Sequence, residues 1–269
     1  MKKGSGIAAI EVRNLTAGYG EDIILRDVSF SVREGEVFVI LGESGSGKST
    51  LMKYMIGLLS PVKGSVVIEG EKLTGESEEV SGGILQKIGI LFQSAALIGS
   101  MTVGENVALP LLEYSGLPAN VVTNLVKWKL GLVGLAGYED HLPSEISGGM
   151  KKRAGLARAL ALNPRILFLD EPSAGLDPVT GAEIDELILQ INRSLETTMV
   201  IVTHELESIY RVADRVVMLD KESKGIIAEG DPRVLRNETR KDAVRRFFNR
   251  EPRPEGTALH SGDGLSGRV

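Results

Sequence analysis

The sequence predicts an α/β protein with a mainly parallel sheet, an antiparallel β subdomain and an inserted helical subdomain. Short continuous apolar runs alternate with amphipathic helical patterns, which is typical of parallel strands joined by crossover helices. Near the N-terminus two apolar-rich segments flank a Gly-containing turn, which predicts an antiparallel pair of strands. Helical periodicity dominates from about residue 94 to residue 162, which predicts that the helical subdomain interrupts the α/β core.

The individual elements follow from these patterns and from the turn residues between them. In chain order, strands are predicted at residues 7–15, 28–32, 37–41, 65–69, 88–92, 166–169, 199–203, 216–219 and 226–228. Helices are predicted at residues 51–56, 103–112, 121–130, 149–162 and 182–195. Residues 70–83 are polar and predict a loop with at most a short helix. Pro110, Pro118 and Pro143 punctuate the helical region from about residue 94 to residue 162.

Composition excludes several classes of protein. The 269 residues carry a net charge of −5 and include no Cys. This charge argues against a general nucleic-acid binder, and the absence of Cys excludes disulfides and thiolate metal sites. The N-terminus lacks the apolar region of a signal peptide, and no apolar run approaches the ~18 residues of a membrane span. If this protein works at a membrane, we expect another chain to hold it there.

Residues 42–50, with the sequence GESGSGKST, lie between a predicted buried strand and a predicted helix. Their G-x-x-x-x-G-K-S spacing is that of a phosphate-binding loop. The glycines let backbone N–H groups converge on an anion, and the start of the helix adds its positive dipole end. Lys48 is expected to reach the β- and γ-phosphates, and the Ser49 hydroxyl to bind Mg²⁺. An ordinary Gly-rich turn with an exposed Lys is the alternative. The predicted nucleotide-binding residues of this loop are Gly42, Glu43, Ser44, Gly45, Ser46, Gly47, Lys48, Ser49 and Thr50.

Polar residues follow three predicted buried strands, at the edge of the sheet where α/β proteins bind ligands. Asp170 suits the Mg²⁺ shell, and Glu171 suits the activation of an attacking water molecule. Gln93 suits the sensing of a γ-phosphate and its Mg²⁺. His204 suits a hydrogen bond to the γ-phosphate and a link to Glu171. Taken alone, each of these residues has an ordinary loop or surface role as its alternative.

Two further segments suit a nucleotide. Tyr19 lies in a Gly-flanked turn, where an exposed ring can stack on adenine, although a plain surface Tyr is the alternative. Ser147, Gly148 and Gly149 open a helix that is rich in Lys and Arg, and this helix start is a second potential anion site. Because one phosphate-binding loop already serves one ATP, this helix is either simply capped or binds the ATP of another molecule.

Seven ordered motifs resemble those of ABC transporter nucleotide-binding subunits, over residues 7 to about 235. They are Tyr19, GESGSGKS at 42–49, Gln93, SGGM at 147–150, ILFLDE at 166–171, SAGLD at 173–177 and His204. The resemblance implies a P-loop NTPase core (ABC ATPase) that hydrolyses ATP with Mg²⁺. It also implies a head-to-tail homodimer that holds two ATP molecules, each between the P-loop of one chain and residues 147–150 of the other. Asp177 lies in the stretch that crosses this interface. The catalytic residues are then Glu171, His204, Lys48 and Gln93, and the Mg²⁺ ligands are Ser49, Gln93 and Asp170.

Met150 stands where the family usually has Gln. Together with residues 94–110, at the boundary that receives a permease's coupling helix, it resembles the Mla/Mce phospholipid-trafficking subgroup. This implies a peripheral ATPase on the cytoplasmic face of the inner membrane that serves phospholipid trafficking and outer-membrane lipid asymmetry. The implied partners are an integral permease, a STAS-domain subunit and an MCE-domain lipid-binding protein, with no nucleic acid.

Other functions remain open. The chain could serve an importer of a small polar solute, with Met150 as a tolerated variation. A non-transport ABC ATPase is disfavoured by the single set of motifs and the absence of a heptad array. A soluble P-loop kinase leaves residues 147–150 and His204 unexplained.

The predicted domains are a flexible tail at 1–6, an ABC ATPase domain at 7–240 with its helical subdomain at about 94–162, and a C-terminal extension at 241–269. Residues 241–250 carry Val244, Phe247 and Phe248 on one side, which predicts either a closing helix on the protein's own core or a docking element. Residues 251–269 are expected to be disordered in isolation. In the subgroup such an extension contacts the other ATPase subunit or the STAS-domain partner.

Overall fold

A computed structural model of the chain describes residues 7–20, 22–73, 83–84, 86–238 and 241–251. The strands are β1 (Ala8–Tyr19), β2 (Asp22–Arg33), β3 (Val37–Gly42), β4 (Lys63–Ile68), β5 (Glu71–Leu73), β6 (Ile88–Leu91), β7 (Ile166–Asp170), β8 (Thr198–Val202), β9 (Arg215–Asp220) and β10 (Gly225–Gly230). The α-helices are α1 (Lys48–Met55), α2 (Val103–Tyr114), α3 (Ala119–Leu132), α4 (Gly148–Ala159), α5 (Pro178–Leu195), α6 (Leu206–Val212), α7 (Pro232–Glu238) and α8 (Asp242–Asn249). In this part of the chain, none of the helices has the length and apolar character to cross a bilayer.

The main sheet has the strand order β10-β9-β3-β8-β7-β6. Its strands are parallel except for β10, which pairs with β9 antiparallel. The predicted α/β class is therefore confirmed. Since parallel strands point their carboxyl ends to the same edge, the segments that follow β3, β6, β7 and β8 meet there. We call this the carboxyl edge of the main sheet.

A smaller antiparallel sheet with the order β2-β1-β4-β5 forms the predicted β subdomain. The loop predicted for residues 70–83 is wrong at β5, where Leu73 is buried and pairs with Val66. A strand of three residues with two polar side chains has no alternation that a sequence pattern could detect. Residues 74–82 lie outside the described part of the chain.

Two apolar clusters cover the two faces of the main sheet. The alternation of β3 sends Phe38 and Ile40 toward the β subdomain and α1, and Val37, Val39 and Leu41 toward the helices. Every residue of β3 is buried, as expected for the central strand of a parallel sheet. The loop at residues 42–47 therefore extends from a strand that is buried along its whole length.

The helices α2, α3 and α4 pack together in the predicted insertion. Pro118 caps α3 and Pro143 opens a 3₁₀ turn, whereas Pro110 lies inside α2, as it does in the helix predicted at residues 103–112. A capping box between Thr102 and Glu105 fixes the start of α2. Buried residues on both sides of the proline hold the helix in place: Val103, Val107 and Leu111.

The C-terminal helix α8 lies against the core of its own chain. Val244 and Phe248 are buried in the same cluster as the helices, and the Phe248 ring lies 6.0 Å from that of Tyr210. For residues 241–250 the sequence predicts either a closing helix or a docking element. In the structure they form the closing helix, which packs on the protein's own core. The predicted tails at residues 1–6 and 252–269 lie outside the described residues.

Lys129 of α3 is fully buried, with its Nζ 2.5 Å from Oδ1 of Asn163. Burial lowers its pKa from 10.5 to about 8. The unfolded chain therefore binds this proton up to a higher pH than the folded chain does, so stability rises with pH between about 8 and 10.5.

We expect Lys129→Met to increase the free energy of unfolding at pH 7 by about 1–3 kcal/mol, because the cost of burying a charge disappears. The gain should shrink as pH rises from 7 to 10. Urea unfolding at several pH values tests this, with Lys127→Met, at an exposed position of α3, as the matched control. A difference from wild type that does not change with pH would contradict the prediction.

Candidate active site

The loop between β3 and α1 has a backbone that requires glycine. Gly42, Gly45 and Gly47 all have positive φ, and a Cβ on Gly42 would lie 2.4 Å from the carbonyl oxygen of Leu219. Gly47 is the N-cap of α1 and supplies no side-chain acceptor to the first-turn N–H groups. These N–H groups remain available to an anion. Glu43, Ser44 and Gly45 are exposed on the loop.

Lys48 lies buried beneath this loop. Its Nζ donates to the carbonyl oxygens of Gly42 and Glu43, each at 2.9 Å. Burial lowers the pKa of Lys48, and the carboxylates of Glu171 and Asp170 oppose this shift. Nearby, the Ser46 hydroxyl is buried without a hydrogen-bond partner among the described residues. The loop therefore holds an ammonium group and an unpaired hydroxyl, two groups that can donate hydrogen bonds to a phosphate.

Ser49 and Asp170 join the start of α1 to the end of β7. The Ser49 hydroxyl donates to Oδ1 of Asp170 at 3.4 Å. Burial raises the pKa of Asp170 and the Glu171 carboxylate adds to this, while the hydrogen bond from Ser49 opposes it. Gln93 and Asp170 line one open hollow of about 520 Å³. Oxygen donors of this kind suit Mg²⁺.

Within the described chain, no three His, Cys, Asp or Glu residues form a cluster that could hold a metal. A Mg²⁺ ion at Ser49 and Asp170 would therefore complete its coordination with phosphate oxygens and water, which is its usual behaviour beside nucleotides. When bound, it supplies positive charge to the phosphate oxygens.

Glu171 follows β7 in a strained backbone conformation, with φ of 47°. Its N–H donates to the carbonyl oxygen of Val202 in β8 at 2.8 Å. Nδ1 of His204 lies 2.7 Å from Oε1, and because a carboxylate only accepts, the imidazole donates this bond. Oε2 is buried and has no partner within the described residues. Of the two carboxylate oxygens, Oε2 is thus the one to which no described group donates a hydrogen bond.

Tyr19 lies at the end of β1, next to Gly18, which contacts the P-loop helix α1. Its side chain is 49% exposed at the end of β1, as a stacking platform requires. The Tyr54 hydroxyl of α1 donates to the Gly18 carbonyl oxygen at 2.8 Å and accepts from the Gly18 N–H at 3.2 Å. The turn that carries Tyr19 is therefore fixed to the helix that carries Lys48. No sequence pattern indicated this role for Tyr54.

Ser147, Gly148 and Gly149 lie apart from these groups, at the start of α4 in the helical layer. The Ser147 hydroxyl caps the helix by accepting from the Met150 N–H at 3.3 Å. Ser147 and Gly148 are exposed, so the N-terminus of α4 is open to a ligand from outside the chain. Apart from Tyr19, which ends β1 in the smaller sheet, the other predicted residues gather at the carboxyl edge.

A second open hollow, of about 530 Å³, lies between α5, α6 and α8, and His204 forms part of its wall. Asp177 caps α5 here by accepting from the N–H groups of Val179 and Thr180. Beside it, the Ser173 hydroxyl donates to Oε2 of Glu205 at 3.0 Å. The role of Glu205 was not predicted, because an acidic residue after His204 has no distinguishing pattern.

Comparison with known proteins identifies the family. A family model described as "ABC transporter" matches residues 25–174. The chain belongs to the ABC transporter family. Its solved relatives include the dimeric ATP-binding cassette MJ0796 bound to ADP and Pi, with 32% identity and a TM-score of 0.75 over 82% of this chain and 98% of that one. The chain described here is thus an ATPase that uses ATP with Mg²⁺. The fold class predicted from its sequence is confirmed.

The curated relatives carry several transport names. The probable ribonucleotide transport ATP-binding protein Mkl of Mycobacterium tuberculosis is 43% identical over 241 residues, 90% of this chain and 66% of its own length. The chain thus spans just under two thirds of that relative. The methionine import protein MetN of Geobacillus kaustophilus is 40% identical, over 90% of this chain and 70% of its own length. The intermembrane phospholipid transport ATP-binding protein MlaF of Haemophilus influenzae is 38% identical, over 84% of this chain and 85% of its own length.

Proposed function

We propose that this ABC ATPase energises a membrane transporter that moves phospholipid and maintains outer-membrane lipid asymmetry. The observation that carries the proposal is the match to MlaF, which covers 85% of a protein named for phospholipid transport. The SGGM sequence at residues 147–150, with Met in place of the usual Gln, supports the same subgroup.

In this proposal two copies of the chain enclose two ATP molecules. Lys48, Ser49 and the P-loop N–H groups bind the phosphates of one ATP, and the exposed N-terminus of α4 in the second copy covers them. Glu171 accepts a proton from the attacking water, and His204 holds its carboxylate at 2.7 Å. Hydrolysis is then direct attack of water on the γ-phosphate, without a covalent enzyme intermediate.

The helical layer offers a surface for the permease. The large apolar residues exposed there include Leu109, Leu112, Leu117 and Trp128, with Leu112 63% exposed. Exposed apolar patches of this kind mark contacts with other proteins. We propose that an integral permease covers them and holds the chain at the cytoplasmic face of the inner membrane, together with a STAS-domain subunit and an MCE-domain protein.

An importer of a small polar solute is the second candidate function. The names of MetN and Mkl, which refer to methionine and ribonucleotide transport, favour it. The catalytic geometry does not distinguish the two candidates, because in both proposals the membrane subunits select the substrate.

A pull-down of the tagged full-length chain from detergent-solubilised native membranes distinguishes these candidates. We expect mass spectrometry of proteins and lipids to find a permease, an MCE-domain protein and bound phospholipid. A permease with a soluble amino-acid or nucleotide receptor would replace the lipid proposal by the importer. Recovery of no membrane protein, under conditions that retain a control transporter, would contradict both.

A further inference from the structure

Lys152 of α4 contacts two segments of the active site at once. Its side chain is only 6% exposed, and its Nζ donates to the carbonyl oxygen of Gln93 at 2.6 Å and to that of Glu171 at 2.8 Å. Burial lowers the pKa of Lys152, and the carboxylates of Asp170, Glu171 and Glu205 oppose this shift. The buried ammonium group of Lys152 therefore connects α4 to Gln93 and Glu171, two residues at the carboxyl edge.

The backbone of Glu171 depends on such anchors. A non-Gly residue in the left-handed region costs about 1–2 kcal/mol, so the surrounding structure must hold it there. The N–H of Glu171 is held by Val202 in β8, and its carbonyl group is held by Lys152 in α4. The backbone of Glu171 is thus held by two elements, and only the first belongs to the main sheet.

The segment after Gln93 is also fastened to α4. Arg158, six residues after Lys152 on the same helix, donates to the carbonyl oxygens of Ala95 and Ala96 at 2.8 and 2.7 Å. Both alanines have positive φ, so this segment too is held in a strained conformation. Residues 93–96 are therefore expected to follow α4 when it shifts.

We infer that Lys152 is a positioning residue, which conveys the position of the α4 N-terminus to the Glu171 and Gln93 of the same chain. This inference rests on the proposed two-chain ATP site. In that arrangement α4 contacts the ATP held by the second copy, whereas Glu171 and Gln93 act on the ATP of their own P-loop. Lys152 then couples occupancy of one ATP site to catalysis at the other, and it touches neither nucleotide.

Lys152→Met tests this coupling in the purified full-length chain. We expect kcat for ATP hydrolysis to fall about 10- to 100-fold, since misplacement of a catalytic group by about 1 Å costs this much. The Kd for ATP should stay within about twofold of wild type, because the phosphate contacts remain. The Hill coefficient for ATP should fall to about 1, because the link between the two sites is lost. The variant should also accumulate an ATP-bound dimer, which size exclusion detects.

Two matched variants separate positioning from packing. Lys152→Arg keeps a charged donor and should recover part of kcat, whereas Lys151→Met, at the preceding and more exposed position of α4, should behave as wild type. Unchanged kcat and Hill coefficient in Lys152→Met would overturn the inference. Loss of ATP-dependent dimerisation together with a large fall in Tm would also overturn it, in favour of a purely structural lysine.

If Lys152→Met does not fold, Lys152→Gln replaces it, because the glutamine side chain is polar but one atom too short to reach both carbonyl oxygens. Failure of both variants to fold would also overturn the inference. Wild type and Glu171→Gln are measured in parallel. Absence of ATP hydrolysis by wild type would contradict the proposed function, whereas normal wild type with normal Lys152 variants would remove only this inference.

Discussion

Glu171→Gln is expected to lower kcat for ATP hydrolysis by roughly 10²–10⁴-fold, the contribution typical of a positioned general base. Glutamine has the same shape and retains an oxygen that can accept from Nδ1 of His204. It places an amide N–H₂ where Oε2 of the glutamate now lies buried without a partner. An amide nitrogen cannot accept the proton of an attacking water molecule, so only the chemical step is lost.

Binding should therefore survive this change. The contacts expected for the phosphates come from Lys48, Ser49 and the P-loop backbone, and none of these is altered. We expect the ATP affinity to stay within about twofold of wild type and the ATP-bound dimer to accumulate, because its breakdown requires hydrolysis. Phosphate release and size exclusion with ATP and Mg²⁺ measure the two effects.

Glu207→Gln is the control, because Glu207 is an exposed carboxylate on α6 next to the same region. It should leave both kcat and dimer lifetime unchanged. Normal turnover by Glu171→Gln would remove Glu171 from its proposed role and would direct attention to the other acidic groups near the site.

The parts of this site that could be predicted from the sequence are those in which neighbouring residues determine the outcome. The glycines of the P-loop appear in the sequence because the backbone between β3 and α1 requires positive φ. Asp170, Glu171 and His204 could be predicted because each follows a strand that is apolar throughout, and parallel strands bring their ends together. Their roles in catalysis remain predictions.

The remaining features depend on contacts between distant segments. Lys152 lies in a run of basic residues that resembles a solvated helix face, yet its side chain is buried under two backbone carbonyl groups. Pro110 would weaken an isolated helix, but buried residues on both sides of it hold α2 together. For β5, the described structure shows a strand because it pairs with β4, and its three residues have no strand pattern of their own. In each case a tertiary contact determines the outcome, and the local sequence does not contain it.

Lys48→Ala should weaken ATP binding, whereas Glu171→Gln should affect only hydrolysis. A hydrogen bond that involves a charged group contributes about 1.5–3 kcal/mol, which corresponds to about a 10- to 150-fold increase in Kd. The distances support such a role, because Nζ already lies at the loop, 2.9 Å from the carbonyl oxygens of Gly42 and Glu43. A small movement of this group would transfer its donors from the loop to a phosphate.

Two measurements separate lost binding from lost folding in this variant. Calorimetric titration with ATP and Mg²⁺ gives Kd, and the rise in Tm on addition of ATP reports binding to the native state. Wild type should show that rise, whereas Lys48→Ala should unfold cooperatively at nearly the same temperature with and without ATP. Lys53→Ala is the matched control, since Lys53 is exposed in the last turn of the same helix and should retain the rise. An unchanged Kd in Lys48→Ala would contradict the P-loop assignment. The expected loss of binding here, set beside retained binding in Glu171→Gln, would assign phosphate binding to α1 and water activation to the end of β7.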